Sequence, residues 1–197
     1  MLKKGVAMPP KVKVTKNEIK NAAIELIRLK GADALNAREL ARALGCSTQP
    51  IFSNYENMDE LKADVMMGAE EIYRSYTERE IASGKYVTYK AIGMSYTKFA
   101  ASEQELFKLL FMRDRRGEES GSDYGYAEAV DVIRKNTGLS YEEATLFHLE
   151  MWICVHGIAT MLATSYFTLD EELVSKILTD TYEGLKNRFA QRRKDNE

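Results

Sequence analysis

The sequence predicts an all-α protein of about nine helices. Pro50 is the last of three prolines, so no proline breaks a helix anywhere after it. Apolar residues recur at helical spacing along the chain, and no stretch alternates with the two-residue period of a strand. Helix limits must therefore come from glycines and from capping side chains. With 197 residues and 45% hydrophobic content, the chain can bury a core in one or two domains.

The stretch 37–55 predicts two short helices joined by a tight turn. Asn36 is the expected cap of the first helix, and Gly45 ends it because glycine enters the left-handed region without steric cost. Ser47 is the expected cap of the second helix. The residues expected to face inward on that helix are Ile51, Phe52 and Tyr55. This is a helix-turn-helix pattern, whose second helix lies in the DNA major groove.

A helix and a basic segment precede this pattern. Thr15 and Glu18 form a capping box for a helix that ends at Gly31 and supports the two short helices. Residues 1–14 carry four lysines and a Pro-Pro pair without any period. Two interpretations of this segment are open: a flexible basic arm that touches phosphates or the minor groove, or an inert tail.

The remaining helices are delimited by the same signals. Asn57 is the expected cap of a long helix, and capping boxes at Ser140 and Thr168 begin the last two. The predicted helices cover residues 57–82, 88–103, 105–114, 126–136, 140–167 and 168–191. Residues 115–125 are polar and glycine-rich, which predicts a surface loop, and residues 192–197 should fray.

Charge is distributed unevenly along the chain. Residues 1–56 hold ten basic and five acidic side chains, a net charge of +5, whereas the remainder holds 18 basic and 25 acidic ones, a net charge of −7. A basic module attached to an acidic body is typical of a DNA-reading head on a separate sensing domain. Chance asymmetry between solvated helix faces is the alternative explanation.

Two segments resemble a known family. Residues 15–62 resemble the DNA-binding domain of TetR-family transcriptional regulators, through the segment TKNEIKNAAIELIRLKGADAL, the pattern AREL-A--LG-S, an aromatic at the end of the second short helix, and NMDEL. The segment Trp152-Ile-Cys-Val-His156-Gly157 is similar to the WHG effector domain of one branch of that family. The resemblance implies a helix-turn-helix DNA-binding domain at 15–56 and a helical effector-binding and dimerisation domain at 57–191.

The resemblance also implies which residues contact DNA. The expected base-reading residues are Thr48, Gln49, Pro50, Ser53 and Asn54. The expected phosphate contacts are Lys16, Asn36, Arg38, Tyr55 and Asn57. Glutamine and asparagine can pair bidentately with adenine, which predicts an A/T-leaning half-site. A merely polar helix face is the alternative interpretation of the base-reading set.

The chain departs from the family in this region. The common Tyr-x-His-Phe ending reads Phe52-Ser53-Asn54-Tyr55, so a hydroxyl has moved from the first aromatic to the last. Met58 stands where a lysine often begins the following helix. The operator therefore cannot be copied from relatives.

The second half is expected to provide sensing and dimerisation. The expected effector-pocket residues are Met66, Tyr73, Tyr89, Tyr96, Phe99, Phe107, Phe111, His148 and Trp152. The expected dimer-interface residues are Phe147, Met151, Cys154, Ile158, Met161, Leu173, Ile177, Leu178, Tyr182 and Leu185. Ordinary core packing is the alternative for both sets. The mostly apolar pocket set suits a hydrophobic or aromatic effector.

No metal site, cofactor or catalytic residue is expected. The two histidines, His148 and His156, would be about 12 Å apart along one helix and cannot share an ion. Phosphate loops and catalytic triads have no counterpart in the sequence, which argues against an enzyme. Cys46 and Cys154 are two isolated cysteines; packing is the ordinary role for Cys46, and a redox role is the alternative.

The expected function is a ligand-responsive DNA-binding regulator. By resemblance it is a repressor that binds an inverted-repeat operator as a homodimer and is released by a small effector. Its partners would be double-stranded DNA, a second copy of itself and that effector, with no membrane. No signal peptide or membrane-spanning run is visible in the sequence, which favours a cytoplasmic protein. A helical adaptor or scaffold dimer without specific DNA binding is the alternative.

Overall fold

The computed structural model describes residues 14–116 and 126–195, and in this part of the chain the secondary structure is entirely helical. The predicted all-α fold is confirmed. The helices are α1 (Lys16–Lys30), α2 (Ala37–Ala43), α3 (Gln49–Asn54), α4 (Met58–Ala82), α5 (Thr88–Ser102), α6 (Gln104–Phe111), α7 (Tyr126–Thr137), α8 (Tyr141–Ala163) and α9 (Glu171–Asp195), with a short 3-10 helix at Ala32–Ala34. The predicted basic arm, apart from Val14, and residues 117–125 of the predicted loop lie outside the described residues, as do residues 196–197.

The chain divides into two compact units, Met1–Gly68 and Ala69–Glu197, with the division inside α4. In the first unit, α1 packs on both α2 and α3. Its fully buried side chains are Ile19, Ala23, Ile27, Leu40, Ile51 and Leu61. A helix as short as α3, six residues, does not persist by itself in water, so its position depends on this core.

In the second unit, α8 is the central element and contacts α5, α6, α7 and α9. Apolar side chains pack at two places along it. One cluster comprises Val130, Ile133, Leu139, Ala144, Phe147, Met151 and Phe189. The other comprises Met94, Ile158, Leu162, Val174 and Leu178. Burial of these side chains stabilises the unit and fixes α8 between its neighbours.

Local capping chemistry sets most helix starts as predicted. Two of the three expected capping boxes form: Thr15 with Glu18 at α1, and Ser140 with Glu143 at α8. The Asn57 side-chain oxygen accepts hydrogen bonds from the backbone N–H groups of residues 59 and 60, each at 3.0 Å, and so caps α4. These contacts satisfy first-turn N–H groups that have no acceptor inside the helix.

Several predicted helix limits are wrong, including the end of α6, which is Phe111 rather than residue 114. The N-cap of α3 is Thr48 rather than Ser47, and its side chain makes no capping hydrogen bond. The cap of α9 is Asp170 rather than Thr168, because the Asp170 carboxylate accepts from the Leu173 N–H at 2.7 Å. The end of α8 is Ala163, earlier than the predicted residue 167, because the N–H groups that follow bond back to carbonyls of its last turn. At the other end of the chain, α9 continues to Asp195.

Candidate functional site

The turn between α2 and α3 has the geometry that a helix-turn-helix requires. Gly45 adopts a φ of 64°, in the left-handed region that glycine enters without a clash. The Cys46 N–H then donates to the Ala41 carbonyl oxygen at 3.0 Å and closes the turn. The chain therefore reverses sharply within a few residues, and α3 begins at Gln49.

The two sides of α3 differ sharply in exposure. Ile51 is fully buried and Tyr55, just after the helix, is 2% exposed, so both anchor this segment to the core. Gln49, Phe52 and Ser53 are exposed and, at i, i+3 and i+4, share one face. The inward orientation predicted for Phe52 is wrong: its side chain is 49% exposed. Thr48 and Pro50 are half-buried beside this face.

Asn54, predicted to read a base, is engaged within the first unit. Its side chain is half-buried, and its amide nitrogen donates to the backbone carbonyl oxygens of Pro50 at 2.8 Å and Val14 at 3.3 Å. Bidentate pairing with adenine needs this amide group as a donor. The structure therefore corrects the role of Asn54 from base reader to an anchor of α3. Ser53 also donates to a backbone carbonyl, that of Gln49, but remains exposed.

Tyr55, predicted to contact a phosphate, is a core residue. Its hydroxyl donates to Asp64 Oδ2 on α4 at 2.7 Å, with the Lys16 carbonyl oxygen 3.3 Å away. Burial, together with the Asp64 carboxylate, raises the pKa of Tyr55 and keeps the hydroxyl protonated as a donor. Phosphate cannot reach this buried group, so the predicted phosphate role of Tyr55 is corrected.

The other expected phosphate contacts fall into three situations. Lys16 pairs with Glu60 at 2.9 Å, and its ammonium lies 4.5 Å from the Tyr55 ring centroid. Asn36, like Asn57, caps a helix: its side-chain oxygen accepts from the N–H groups at the start of α2. Arg38 is exposed and forms no ion pair with any residue in the described ranges 14–116 and 126–195.

In the second unit, five of the expected pocket residues meet in one aromatic cluster. Ring centroids lie 4.8 to 6.5 Å apart among Tyr73, Tyr96, Phe99, Phe107 and Phe111. Phe99 and Phe107 are fully buried, so they form the inner wall of the cluster. These rings provide an apolar environment with tyrosine hydroxyls as its polar groups.

Histidine and tryptophan from α8 extend this aromatic cluster. His156 Nδ1 lies 2.9 Å from the Tyr96 hydroxyl, so this histidine is hydrogen-bonded within the cluster. The Trp152 and His156 rings stack with centroids 4.7 Å apart and planes 6° apart. His156 is absent from the expected pocket residues, although its i+4 spacing from Trp152 is a signal in the sequence for this contact.

Two expected pocket residues belong to a second, separate group. The Tyr89 hydroxyl lies 3.0 Å from His148 Nδ1, and Tyr126 packs edge-on to that ring with centroids 4.9 Å apart. Burial lowers the pKa of His148, so the imidazole is neutral near pH 7. Met66 lies on the part of α4 that belongs to the first unit. The expected pocket set therefore does not form one site.

Four of the ten residues expected at the dimer interface are internal. Phe147, Met151, Ile158 and Leu178 are at most 5% exposed within the chain's own core, so they cannot also contact a second copy. Their assignment to an interface is corrected to core packing. Cys154, Met161, Ile177, Tyr182 and Leu185 are half-buried, and Leu173 is exposed.

A different face of α8 is open. Leu146, Leu149 and Ile153 lie at i, i+3 and i+7 and are 41%, 44% and 59% exposed. These residues are absent from the expected sites because α8 is apolar on nearly every side, and its pattern does not indicate which face points inward. We call these three residues the outer α8 face.

By length and composition α8 is also apolar enough to cross a membrane, with a mean hydropathy of 1.4, and it is the one such helix within the described residues. Core helices of globular domains meet the same criterion, and α8 contacts four other helices.

Within the described residues, histidine, cysteine and carboxylate side chains form no group of three that could hold a metal ion.

The described features define a class of protein: a helix-turn-helix unit followed by an all-helical domain, the architecture of a ligand-responsive transcriptional regulator. Residues 89–181 match the family model for the Tetracyclin repressor-like, C-terminal domain. The resemblance to the TetR family is thereby confirmed, and the WHG subtype is compatible with the match. No curated protein sequence matches the chain.

Solved structures share the fold. A protein of unknown function from Rhodococcus sp. RHA1 is 18% identical, with a TM-score of 0.69 over 91% of this chain and 97% of that chain. A TetR family protein from Vibrio parahaemolyticus is 15% identical, with a TM-score of 0.60 over 86% of this chain and 97% of that one. At these identities the likeness shows the fold alone.

Proposed function

We propose that this chain is a transcriptional repressor that binds an inverted-repeat operator as a homodimer and is released by a small hydrophobic or aromatic effector. The observation that carries the proposal is the division of α3 into a buried anchoring side and an exposed side bearing Gln49 and Ser53. Such a helix presents side chains at a fixed angle to base edges in the major groove. The protein would act in the cytoplasm, without a cofactor and without catalysing a reaction.

The proposed DNA contacts follow from exposure. Thr48, Gln49, Pro50 and Ser53 would read bases, with Gln49 as the residue best suited to adenine. Arg38 is exposed and forms no ion pair within the described residues, so it would neutralise a phosphate. Lys16 would do the same if its ion pair with Glu60 opened. The half-site is expected to be rich in A/T pairs.

We propose that dimerisation uses the outer α8 face together with Leu173 at the start of α9. Exposed apolar side chains on a central helix favour burial against a second apolar surface. A two-fold pair of this kind presents two reading helices to half-sites about 34–36 Å apart, or a multiple of that distance.

The aromatic cluster is the proposed effector site, and α4 is the proposed switching element because it is shared by both units. An effector shifts a two-state helix only if it binds one state more tightly than the other. Operator affinity measured with and without a ligand from a small aromatic library tests this step. A ligand that binds tightly and leaves operator affinity unchanged would contradict it.

The first experiment is a binding titration on duplexes from around the protein's own gene. Selective binding should weaken with salt as phosphate counterions are released, and Gln49→Ala should lose about tenfold or more of the selective affinity. Gln191→Ala, an exposed glutamine-to-alanine change on α9, is the matched control and should bind normally. Weak binding that ignores sequence in all three proteins would favour the adaptor or scaffold dimer instead.

A further inference from the structure

Phe52 is an apolar residue in the middle of a polar reading surface. Its neighbours on the exposed face of α3 are Gln49 and Ser53, and its side chain is 49% exposed. It is in aromatic ring contact with no residue in the described part of the chain. An aromatic ring exposed on this face is available to bury its apolar area against a partner.

The ring is held outward by the anchors of α3. Ile51 is fully buried and Tyr55 is hydrogen-bonded to Asp64, so rotating α3 to bury Phe52 would break both contacts. The hydrogen bond from the Asn54 amide to the Val14 carbonyl oxygen, 3.3 Å long, resists the same rotation. The exposed position of Phe52 is therefore fixed by the fold of the first unit.

We propose that Phe52 is a specificity-determining residue that packs on the 5-methyl group of a thymine in the operator. The proposal rests on the proposed function, which places α3 in the major groove. Among base edges in that groove, the thymine methyl is the apolar group, and an aromatic side chain contacts it without needing a hydrogen bond. Gln49, three residues earlier on the same face, is suited to a neighbouring adenine.

The test removes the 5-methyl group of thymine from the DNA, before any change is made to the protein. Once a selectively bound duplex is found, each thymine in one half-site is replaced singly by deoxyuridine, which keeps base pairing and loses only the methyl. At one position the substitution should weaken binding of the unchanged protein by about threefold to tenfold. Phe52→Ala should bind the thymine duplex correspondingly more weakly and should lose nothing further on deoxyuridine at that position.

Two further variants make the result specific. Phe52→Leu keeps an apolar contact and should retain a preference for thymine over deoxyuridine at the same position. Leu29→Ala removes another exposed apolar side chain of the first unit, 80% exposed on α1, and should bind both duplexes like the unchanged protein. Thermal melting of each variant checks that it is folded.

Four outcomes would overturn the inference, and they are distinguishable. If no deoxyuridine position affects binding, Phe52 contacts no thymine methyl group. If Phe52→Ala loses affinity equally for every duplex, Phe52 contacts the sugar-phosphate backbone instead. If Phe52→Ala remains as sensitive to the methyl as the unchanged protein, another residue reads it. If no duplex is bound selectively, the proposed function itself fails and the inference fails with it.

Discussion

At the scale of single residues, only one of the two aromatics at the end of α3 that were expected to face inward does so. Phe52 points outward at 49% exposure, whereas Tyr55 is 2% exposed. A buried tyrosine needs a hydrogen-bond partner for its hydroxyl, and Asp64 on α4 supplies one at 2.7 Å. The hydroxyl that the family usually carries on the first aromatic thus serves here to join the end of α3 to α4.

Tyr55→Phe tests this structural role. The variant keeps the ring packing and leaves a partly buried Asp64 carboxylate without its donor, so the free energy of unfolding should fall by about 1–3 kcal/mol. Urea denaturation measures the change. Tyr166→Phe removes a hydroxyl from a side chain that is 74% exposed and should leave stability unchanged. Normal stability combined with an equal loss of affinity for every DNA sequence would instead indicate a phosphate contact.

Sequence alone could not decide which of these aromatics is buried. Both lie on a segment too short to show a clear period, and the face of a six-residue helix is set by what it packs against. The decisive partner, Asp64, is nine residues away and carries no motif that would mark it. The same reason explains Asn54, whose amide is engaged by a backbone carbonyl 40 residues earlier.

At the scale of helices, the start of α8 is tied to the end of α9. The Glu143 carboxylate accepts from the Ser140 N–H at 2.8 Å as part of the capping box and pairs with Arg193 at 2.8 Å. Arg193 first, and then the Ser140 N–H, lower the pKa of Glu143 to about 2 from an ordinary value near 4.5. One carboxylate therefore stabilises both a helix terminus and a helix–helix contact.

This contact predicts a pH dependence of stability. Because the folded pKa of Glu143 lies below the unfolded value, its contribution is present above about pH 4.5 and is lost as the pH falls toward 2. Glu143→Gln should be less stable than the unchanged protein at pH 7 by about 1 kcal/mol, a small difference because the carboxylate is partly exposed. The difference in stability should disappear as the pH falls from about 4.5 toward 2. Denaturation at several pH values measures it, with Glu142→Gln as control. A gap that does not change with pH would contradict the prediction.

A second helix-scale contact is a network of charges in the second unit. Lys98 on α5 pairs with Glu80 on α4 at 2.7 Å and with Glu171 on α9 at 3.1 Å. Glu171 also pairs with Lys85 at 2.6 Å. Glu80 is 8% exposed, so its charge depends on Lys98 for compensation.

Lys98→Met should therefore destabilise the protein by about 2–4 kcal/mol, because it leaves the buried Glu80 carboxylate without its cation. The double variant Glu80→Met, Lys98→Met should recover most of that loss, since it removes the uncompensated charge. Lys62→Met, at a largely exposed lysine on α4, should change stability little. Chemical denaturation of the unchanged protein, Glu80→Met, Lys98→Met and the double variant forms a cycle, and additive losses in the double variant would contradict the coupling.

Helix ends were largely predictable from sequence, but helix faces were not. Capping boxes and glycines act within a few residues, so the starts of α1, α4 and α8 followed from local chemistry. The inward face of α8 depends on the helices around it, and its apolar residues surround the helix. The predicted interface was therefore assigned to residues such as Phe147 that the core already buries.

At the scale of the whole molecule, the open question is what covers the outer α8 face. Three large aliphatic side chains on the central helix of a unit are exposed in the single chain, and Ile153 is the most exposed of them at 59%. A second copy meeting the same face would bury it and satisfy two-fold symmetry. An inverted-repeat operator requires such a pair.

Ile153→Glu should convert the proposed dimer to a monomer without unfolding it. A carboxylate on this exposed position costs the monomer little, whereas two symmetry-related carboxylates buried in an apolar interface would repel each other and lose their hydration. Sedimentation measures the mass, and circular dichroism measures the helix content. Operator titration measures the loss of selective affinity that is expected when the monomer lacks a second reading helix. Ile81→Glu, at another exposed isoleucine on α4, should remain dimeric. If Ile153→Glu stays dimeric and binds the operator normally, the two copies meet through a different surface and the outer α8 face needs another partner.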